Sequence, residues 1–346
     1  MLRADDEPKP EVPVTRRDPK PSWLKVRAPG GETYARLKET LRKLDLYTVC
    51  EEARCPNVGE CWTAGTATIM LLGHTCTRGC RFCAVTTGNP RGAFDPREPE
   101  HVARAIAELG LKYVVLTMVD RDDLIDGGAA QVARTVEGLR ERCPELLVET
   151  LVGDFRGRLG DVDVILRSAP AVYAHNVEVT RRLTPLIRDA RCDYDVSLGV
   201  LRHAKERAPE RLVKSSIMLG IGETPTEVSE TLRDLRSAGV DIVTLGQYLR
   251  PTPKHAPVAR YVTPEEFAAY ETEGLAMGFA FVASGPLVRS SYHAAEGFVA
   301  ARLAPPGTPA AARTLDPARL SPSASESLLA PESLLRRFRV PADRSG

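Results

Sequence analysis

Cys76-Thr77-Arg78-Gly79-Cys80-Arg81-Phe82-Cys83 sets three thiols on one short stretch in the spacing C-x3-C-x2-C. A closed tetrahedral zinc site wants four ligands, commonly as two C-x2-C pairs, and this run offers three. Three closely spaced thiolates suit a cubane iron–sulfur cluster, whose irons prefer soft sulfur ligands. Three ligands for four irons leave one iron open to a small molecule, so the stretch reads as a reaction centre rather than an electron wire. Just before it, Thr68–Leu72 is a short apolar run of the kind buried on both faces of a parallel sheet. The cysteines therefore follow the carboxyl end of a strand, where α/β barrels gather their chemistry.

The same strand signal recurs downstream at Tyr113–Met118, Leu147–Leu151, Val172–Ala174, Val213–Leu219 and Ile242–Gln247. Helical patterns lie between. Val102, Ile106 and Leu109 recur at helical spacing, as do Val228, Leu232 and Leu235. The second of these helices has Thr224 as N-cap, Pro225 at its first position, Glu227 to complete a capping box and Gly239 past its end. Thr263-Pro264-Glu265-Glu266 opens another helix in the same way. Strands alternating with helices imply a parallel sheet, and six units are too few for an eight-fold barrel.

Upstream, Cys50, Cys55 and Cys61 form C-x4-C-x5-C, so six of the eight cysteines fall between positions 50 and 83. A disulfide framework suits a small secreted chain, and this one has 346 residues and no evident signal peptide. Zinc remains the alternative metal. Cys143 and Cys192 read as isolated, buried thiols. A net charge of +1 offers no basic field for nucleic acid, and no apolar run reaches the roughly 20 residues needed to span a bilayer. Thiolate-bound clusters fit a reducing cytoplasm. Residues 1–30, rich in proline and charge, read as an extended arm anchored by Trp23 and Leu24. The stretch from about Pro305 reads as a disordered tail with one short helix near Ser333–Phe338.

C-x3-C-x2-C is the signature of radical S-adenosylmethionine (SAM) enzymes, and its pairing with C-x4-C-x5-C resembles the lipoyl synthase family. Further stretches carry the resemblance: Val119-Asp120-Arg121-Asp122-Asp123-Leu124 with Asp126-Gly127-Gly128-Ala129, His175-Asn176-Val177-Glu178, Gly246-Gln247-Tyr248-Leu249 and Arg289-Ser290-Ser291-Tyr292. It runs from about Pro21 to about Glu296. Val152-Gly153-Asp154 departs from the family pattern, where proline usually precedes the aspartate.

The resemblance implies an incomplete (β/α)6 barrel over 67–284. A segment 1–66 would carry an auxiliary cluster, 285–303 would close it, and 304–346 would be the tail. It implies two 4Fe-4S clusters, one on Cys76, Cys80 and Cys83 with SAM, the other on Cys50, Cys55, Cys61 and a serine, placed on Ser291 with Ser290 as runner-up. Phe82 would pack near the adenine. Asp120, Asp122, Gly127 and Gly128 would hold SAM's ammonium or ribose, Asn176 and Glu178 its ribose or carboxylate, and Gly220 and Gly222 its adenine. The implied reaction inserts sulfur at carbons 6 and 8 of an octanoyl chain amide-linked to a carrier lysine. A 5′-deoxyadenosyl radical abstracts each hydrogen and the auxiliary cluster is consumed as sulfur source. The implied partners are octanoylated carriers (a 2-oxoacid dehydrogenase acyltransferase subunit and a glycine-cleavage H protein), a reducing electron donor and an iron–sulfur cluster carrier, around a monomeric enzyme. The competing readings are another radical SAM sulfur-inserting enzyme and a two-cluster electron carrier, which would want four cysteines per cluster.

Overall fold

In the computed structural model the described residues are 20–24, 32–52, 55, 57–63 and 68–291. Most of the arm, Tyr292, the rest of the 285–303 segment and the whole tail with its expected helix lie outside them. Of the two arm anchors, Leu24 is buried and Trp23 is exposed.

Ten strands are present among these residues: β1 (Tyr47–Thr48), β2 (Thr68–Leu71), β3 (Thr75–Cys76), β4 (Thr86–Thr87), β5 (Tyr113–Met118), β6 (Leu147–Leu151), β7 (Val172–Ala174), β8 (Leu212–Leu219), β9 (Ile242–Gln247) and β10 (Phe281–Gly285). Eight of them make one sheet in the order β1-β2-β5-β6-β7-β8-β9-β10. From β2 to β10 every neighbour is parallel, and β1 is antiparallel to β2. The order ends at β1 and β10 without pairing them, so the barrel is open there. Six βα units run from β2 to β9, at the expected positions within one residue. β10 adds a seventh parallel strand that the sequence pattern concealed. Its second half, Ala283-Ser284-Gly285, is small, polar and half-buried, so it shows no apolar run.

β2, β5, β8 and β9 are buried along nearly their whole length, as strands covered on both faces must be. The helices outside turn their apolar stripes to the sheet. In Glu98–Leu109, Val102 and Ile106 are buried; in Pro225–Ser237, Val228, Leu232 and Leu235 are. Thr224 and Thr263 each make the complete capping box with Glu227 and Glu266, worth about 1 kcal/mol per cap. Glu98 plays a different part, since both its carboxylate oxygens accept from Leu72 N–H at 2.9 Å. That fixes the chain where it leaves β2 for the cysteine loop, through Leu72 and Gly73, both at positive φ.

The amino ends of the strands are plugged by Val172, Leu212, Ile242 and Phe281. Beside this plug lies a buried ion pair. Lys214 Nζ reaches Glu149 Oε1 at 2.8 Å and Oε2 at 3.0 Å, and Tyr113 O–H donates to Oε2 at 2.7 Å. Removing one member of such a pair strands a buried charge, whereas replacing both with apolar groups is often neutral. Glu149→Ala is therefore expected to lower stability by about 3–5 kcal/mol in urea unfolding, and Glu149→Leu with Lys214→Met to recover most of that loss.

Candidate functional site: a cavity between two cysteine sets

A cavity of about 490 Å³ opens at the carboxyl ends of the strands. Cys76, Cys80 and Cys83 line it, and so do Cys50, Cys55, Ser290 and Ser291, so the two cysteine motifs face one space. Cys61 is half-buried and packs against the core on the short helix Val58–Thr63.

The first thiol set sits on a loop whose backbone is tied at both ends. Gly88 N–H donates to Cys76 C=O at 2.9 Å, Cys83 N–H to Cys80 C=O at 3.1 Å, and β3 pairs with β4 across the loop. Backbone N–H groups also reach the sulfurs: Arg78 N lies 3.4 Å from Cys76 Sγ and Asp189 N 3.3 Å from Cys80 Sγ. Such donors suit thiolates that carry cluster charge. As free thiols all three resist ionisation. Burial lifts Cys76 to about 12 and Cys83 to about 11; contact with Cys192, and then burial, raises Cys80. Stable thiolates here require a cationic partner, which metal binding supplies as it releases the protons. Three thiols that face one cavity from a single loop suit an iron–sulfur cluster, whose irons prefer soft sulfur ligands.

Arg78, inside the loop, is one residue that sequence reasoning missed. Its side chain is 1% exposed. Nε and Nη2 donate to Asp122 at 2.9 and 3.0 Å, Nη1 and Nη2 to Asp154 at 2.9 and 2.7 Å, and Nη1 lies 3.6 Å from Asp120. One guanidinium thus ties the cysteine loop to the ends of β5 and β6. Burial alone would raise Asp154, but Arg78 outweighs it and holds that carboxyl at about 2. At Asp120 burial wins over the Arg78 attraction and lifts the carboxyl to about 6. Gly153 gives Asp120 its room, since a Cβ there would sit 2.3 Å from Asp120 Oδ1. The Val152-Gly153-Asp154 departure thus has a local packing reason.

The residues expected to touch SAM divide into two groups. Phe82, Asp120, Asn176 and Glu178 line the cavity. Asp122 does not: its oxygens are taken by Arg78 and Thr77. Nor do Gly127, Gly128, Gly220 and Gly222 line it. Gly128 (φ +91°) packs under Leu72, where a Cβ would come within 2.2 Å of Leu72 Cδ1. Gly127 meets Phe155 and Arg158, and Gly220 lies on Gln247 and the Arg260 carbonyl. The N–H groups of Gly220, Ile221 and Gly222 all donate to Glu223. These four glycines shape loops behind the wall rather than forming it.

On the wall, Glu178 adopts φ +67°, a left-handed conformation that costs a non-glycine residue energy. It is held by Asn176 Nδ2 at 3.1 Å and by pairing with Ile217 beside β8, and burial raises its carboxyl. His175 is buried next to it, with Nδ1 2.9 Å from Val152 C=O and Nε2 unpartnered among the described residues. Arg188, also on the wall, donates to Ser197 Oγ at 2.8 Å. Cys192 is buried, as expected, but not isolated: its thiol lies against Cys80 and 3.5 Å from Arg78 Nη1. His255 makes a loop hydrogen bond, Nε2 to Cys83 C=O at 2.9 Å. Arg78 and Asp154 left one sequence signal, charged groups just past strand ends.

At the second thiol set, Cys50 is buried on the turn Val49–Glu52 against Thr68 and Trp62, and burial raises its thiol. Thr68 Oγ1 also donates to Ser291 Oγ at 2.9 Å. The chain arrives there by crossing the top of β9, where a Cβ on Gly246 would lie 2.0 Å from Val288 C=O. Asn57 Nδ2 donates to Leu287 C=O at 2.6 Å, and the half-buried Arg289 lies beside Cys55. Residues 287–291 are thereby laid against the 50–61 segment.

An open parallel barrel with a three-thiol loop at its carboxyl face is the architecture of the radical SAM superfamily, and residues 70–235 match that superfamily. The crystal structure of methylornithine synthase shares the fold at 15% identity, with a TM-score of 0.50 over 75% of this chain and 84% of that one. Residues 4–55 match the N-terminal domain of lipoyl synthase. Lipoyl synthase of Sorangium cellulosum is 68% identical over 295 residues, 81% of this chain and 79% of that protein. The enzyme of Thermus thermophilus is 58% identical over 84% of this chain and 89% of its own length. The chloroplastic enzyme of Arabidopsis thaliana is 54% identical over 83% and 75%. The chain belongs to the lipoyl synthase family of radical SAM enzymes. Its activity is therefore sulfur insertion into an octanoyl chain carried on a protein, with a 4Fe-4S cluster and SAM. No helix among the described residues is long and apolar enough to cross a membrane.

Burial, and then the Arg188 cation, lower His175 from 6.5 to about 4. A depressed folded-state value means that the unfolded chain takes up the proton first, so this contribution to stability is lost as pH falls from about 6.5 to about 4. His175→Gln should therefore show a shallower loss of stability across that window than the unaltered protein, measured by urea unfolding at stepped pH.

Proposed function

We propose that the chain builds two 4Fe-4S sites on opposite walls of one cavity and uses the second as the sulfur source for carbons 6 and 8 of an octanoyl-lysine. The observation that carries this reading is the shared cavity. Cys76, Cys80 and Cys83 face it from the β2–β5 connection, and Cys50, Cys55 and Ser291 from the chain's two extensions. When bound, SAM and the first cluster supply hydrogen abstraction from an unactivated carbon, and the second cluster supplies sulfur.

The protein's share is placement. Met70, Met118, Val119, Leu151 and Ile217 give the cavity an apolar wall suited to an alkyl chain. Phe82 shields the nucleoside, while Asp120, Asn176 and Glu178 take SAM's ammonium and hydroxyl donors. Asp122, Gly127, Gly128, Gly220 and Gly222 act indirectly, by shaping the loops that carry those groups. Cys50, Cys55, Cys61 and Ser291 hold the second cluster. Thr68, which touches both Cys50 and Ser291, favours Ser291 over Ser290. A serine oxygen matches iron less well than thiolate, so this bond is the one suited to yield as sulfur leaves. Arg250 at the rim meets the carrier peptide. Carriers from 2-oxoacid dehydrogenase and glycine-cleavage systems present the octanoyl group, a reductant supplies electrons, and a cluster carrier restores the spent site. All of this belongs in a reducing compartment, the cytoplasm.

The direct test uses anaerobically reconstituted protein with SAM, reductant and an octanoyl-lysine peptide, followed by mass spectrometry. Gain of two sulfurs with release of 5′-deoxyadenosine and loss of protein sulfide is expected; SAM cleavage with an unchanged peptide would move the substrate elsewhere. Ser291→Ala is expected to lower bound iron and sulfide and to cut sulfur insertion roughly 10-fold or more, while Ser290→Ala retains both. The reverse pattern would move the ligand to Ser290.

A further inference from the structure

Methionine is scarce in this chain, five in 346 residues, yet three of the five line the cavity. They come from three strands: Met70 from β2, Met118 from the end of β5 and Met218 from β8. Met218 packs with Phe82 against the apolar cluster of Ile221 and Tyr248, on the side of the space given to the nucleoside. Met70 and Met118 stand elsewhere. Thr68 and Met70 are two residues apart on β2 and so share one face of it. Thr68 meets the second thiol set, through its 2.9 Å hydrogen bond to Ser291. Met70 is about 7 Å further along the strand, towards Leu72, Gly73 and the loop of Cys76. Met118 belongs to the neighbouring strand, level with Leu71 and two residues before Asp120 on the wall. The two side chains thus occupy the stretch of wall that runs from one thiol set to the other.

Val49, Val119 and Val288 line the same cavity, and β-branched side chains are stiff at χ1. Methionine is unbranched, turns about three bonds and fills a space whose shape changes. The reaction makes that demand. Sulfur enters twice, and carbons 6 and 8 must each be brought to the same abstracting site. After the first insertion the acyl chain is tethered through its new C–S bond, so the second carbon arrives only if the chain bends and the wall follows. Resting on the reading of this cavity as the place of both insertions, we infer that Met70 and Met118 form an adaptable segment of wall that lets the tethered acyl chain be presented a second time. A rigid wall at these positions penalises the second insertion alone, because the first is made on a free chain that settles into the shape it finds.

The test uses the full chain, anaerobically reconstituted, with SAM, reductant and an octanoyl-lysine peptide, in a time course that resolves the peptides carrying one and two sulfurs by mass. Met70→Ile and Met118→Ile change side-chain volume little and remove the flexible tail. Both variants are expected to keep their iron and sulfide, their affinity for the unreacted peptide without reductant, and their rate of first insertion. The second insertion is expected to slow roughly 10-fold or more, as small misplacements of a reacting atom do, so that the one-sulfur peptide accumulates. Protein made with norleucine in place of methionine keeps the three rotatable bonds without the thioether, and is expected to show the unaltered ratio of the two products. Equal slowing of both insertions, an unchanged ratio in both isoleucine variants, or accumulation of the one-sulfur peptide by the norleucine protein overturns the proposal and leaves the cavity reading standing. If the unaltered protein adds no sulfur to the peptide, the cavity reading fails and the proposal with it.

Discussion

The site depends on one buried guanidinium. Arg78 sits within the cysteine loop and binds Asp122 and Asp154 through paired contacts while lying 3.6 Å from Asp120. Burying a cation costs several kcal/mol unless its hydrogen-bonding capacity is met, and here two carboxylates meet it in the geometry arginine prefers. The stabilisation is local but its effect is wide, because the partners stand at the carboxyl ends of two strands. The cysteines therefore inherit the rigidity of the sheet, although they lie on a loop. Lysine could not replace this contact, since a point charge cannot form two planar forks at once.

The second thiol set is held by a different principle. Among the described residues two backbone encounters and one side-chain contact organise it. β1 pairs with β2 and brings Cys50 beside Thr68, Gly246 admits the carbonyl of Val288, and Asn57 catches the carbonyl of Leu287. Glycine at 246 is required because the crossing chain occupies the space of a Cβ. The Gly246-Gln247-Tyr248-Leu249 stretch thus helps to seat the second site, far from it in sequence.

Much of this was legible in the sequence because the strong signals were local. Short apolar runs marked β2, β5, β6, β7, β8 and β9, and threonine, proline and glutamate marked two helix starts. β10 and β1 escaped because one is polar in its second half and the other is only Tyr47–Thr48. For the site, cysteine spacing was sufficient to group the thiols, and the strand ends pointed to Asp120, Asn176 and Glu178. Local pattern does not distinguish a carboxylate that faces a cavity from one that faces an arginine. Asp122 was therefore read as a ligand contact while Arg78 and Asp154 went unread. For the glycines the sequence leaves a related choice open: a missing Cβ makes room equally for a cofactor or for Leu72, and the fold sets Gly128 against Leu72.

The crossing of Val288 over Gly246 also sets an order of assembly. Cys76, Cys80 and Cys83 take their shape from the ends of β5 and β6, from Asp189 past β7, and from His255 and Ala256 past β9. Ser291 reaches Thr68 only after β9 and β10 are in place, because its path lies on top of them. During synthesis the amino-terminal thiols must wait for more than 200 later residues before their last neighbour arrives. The three-thiol loop has all these partners by Ala256, whereas the second thiol set must also wait for Ser291.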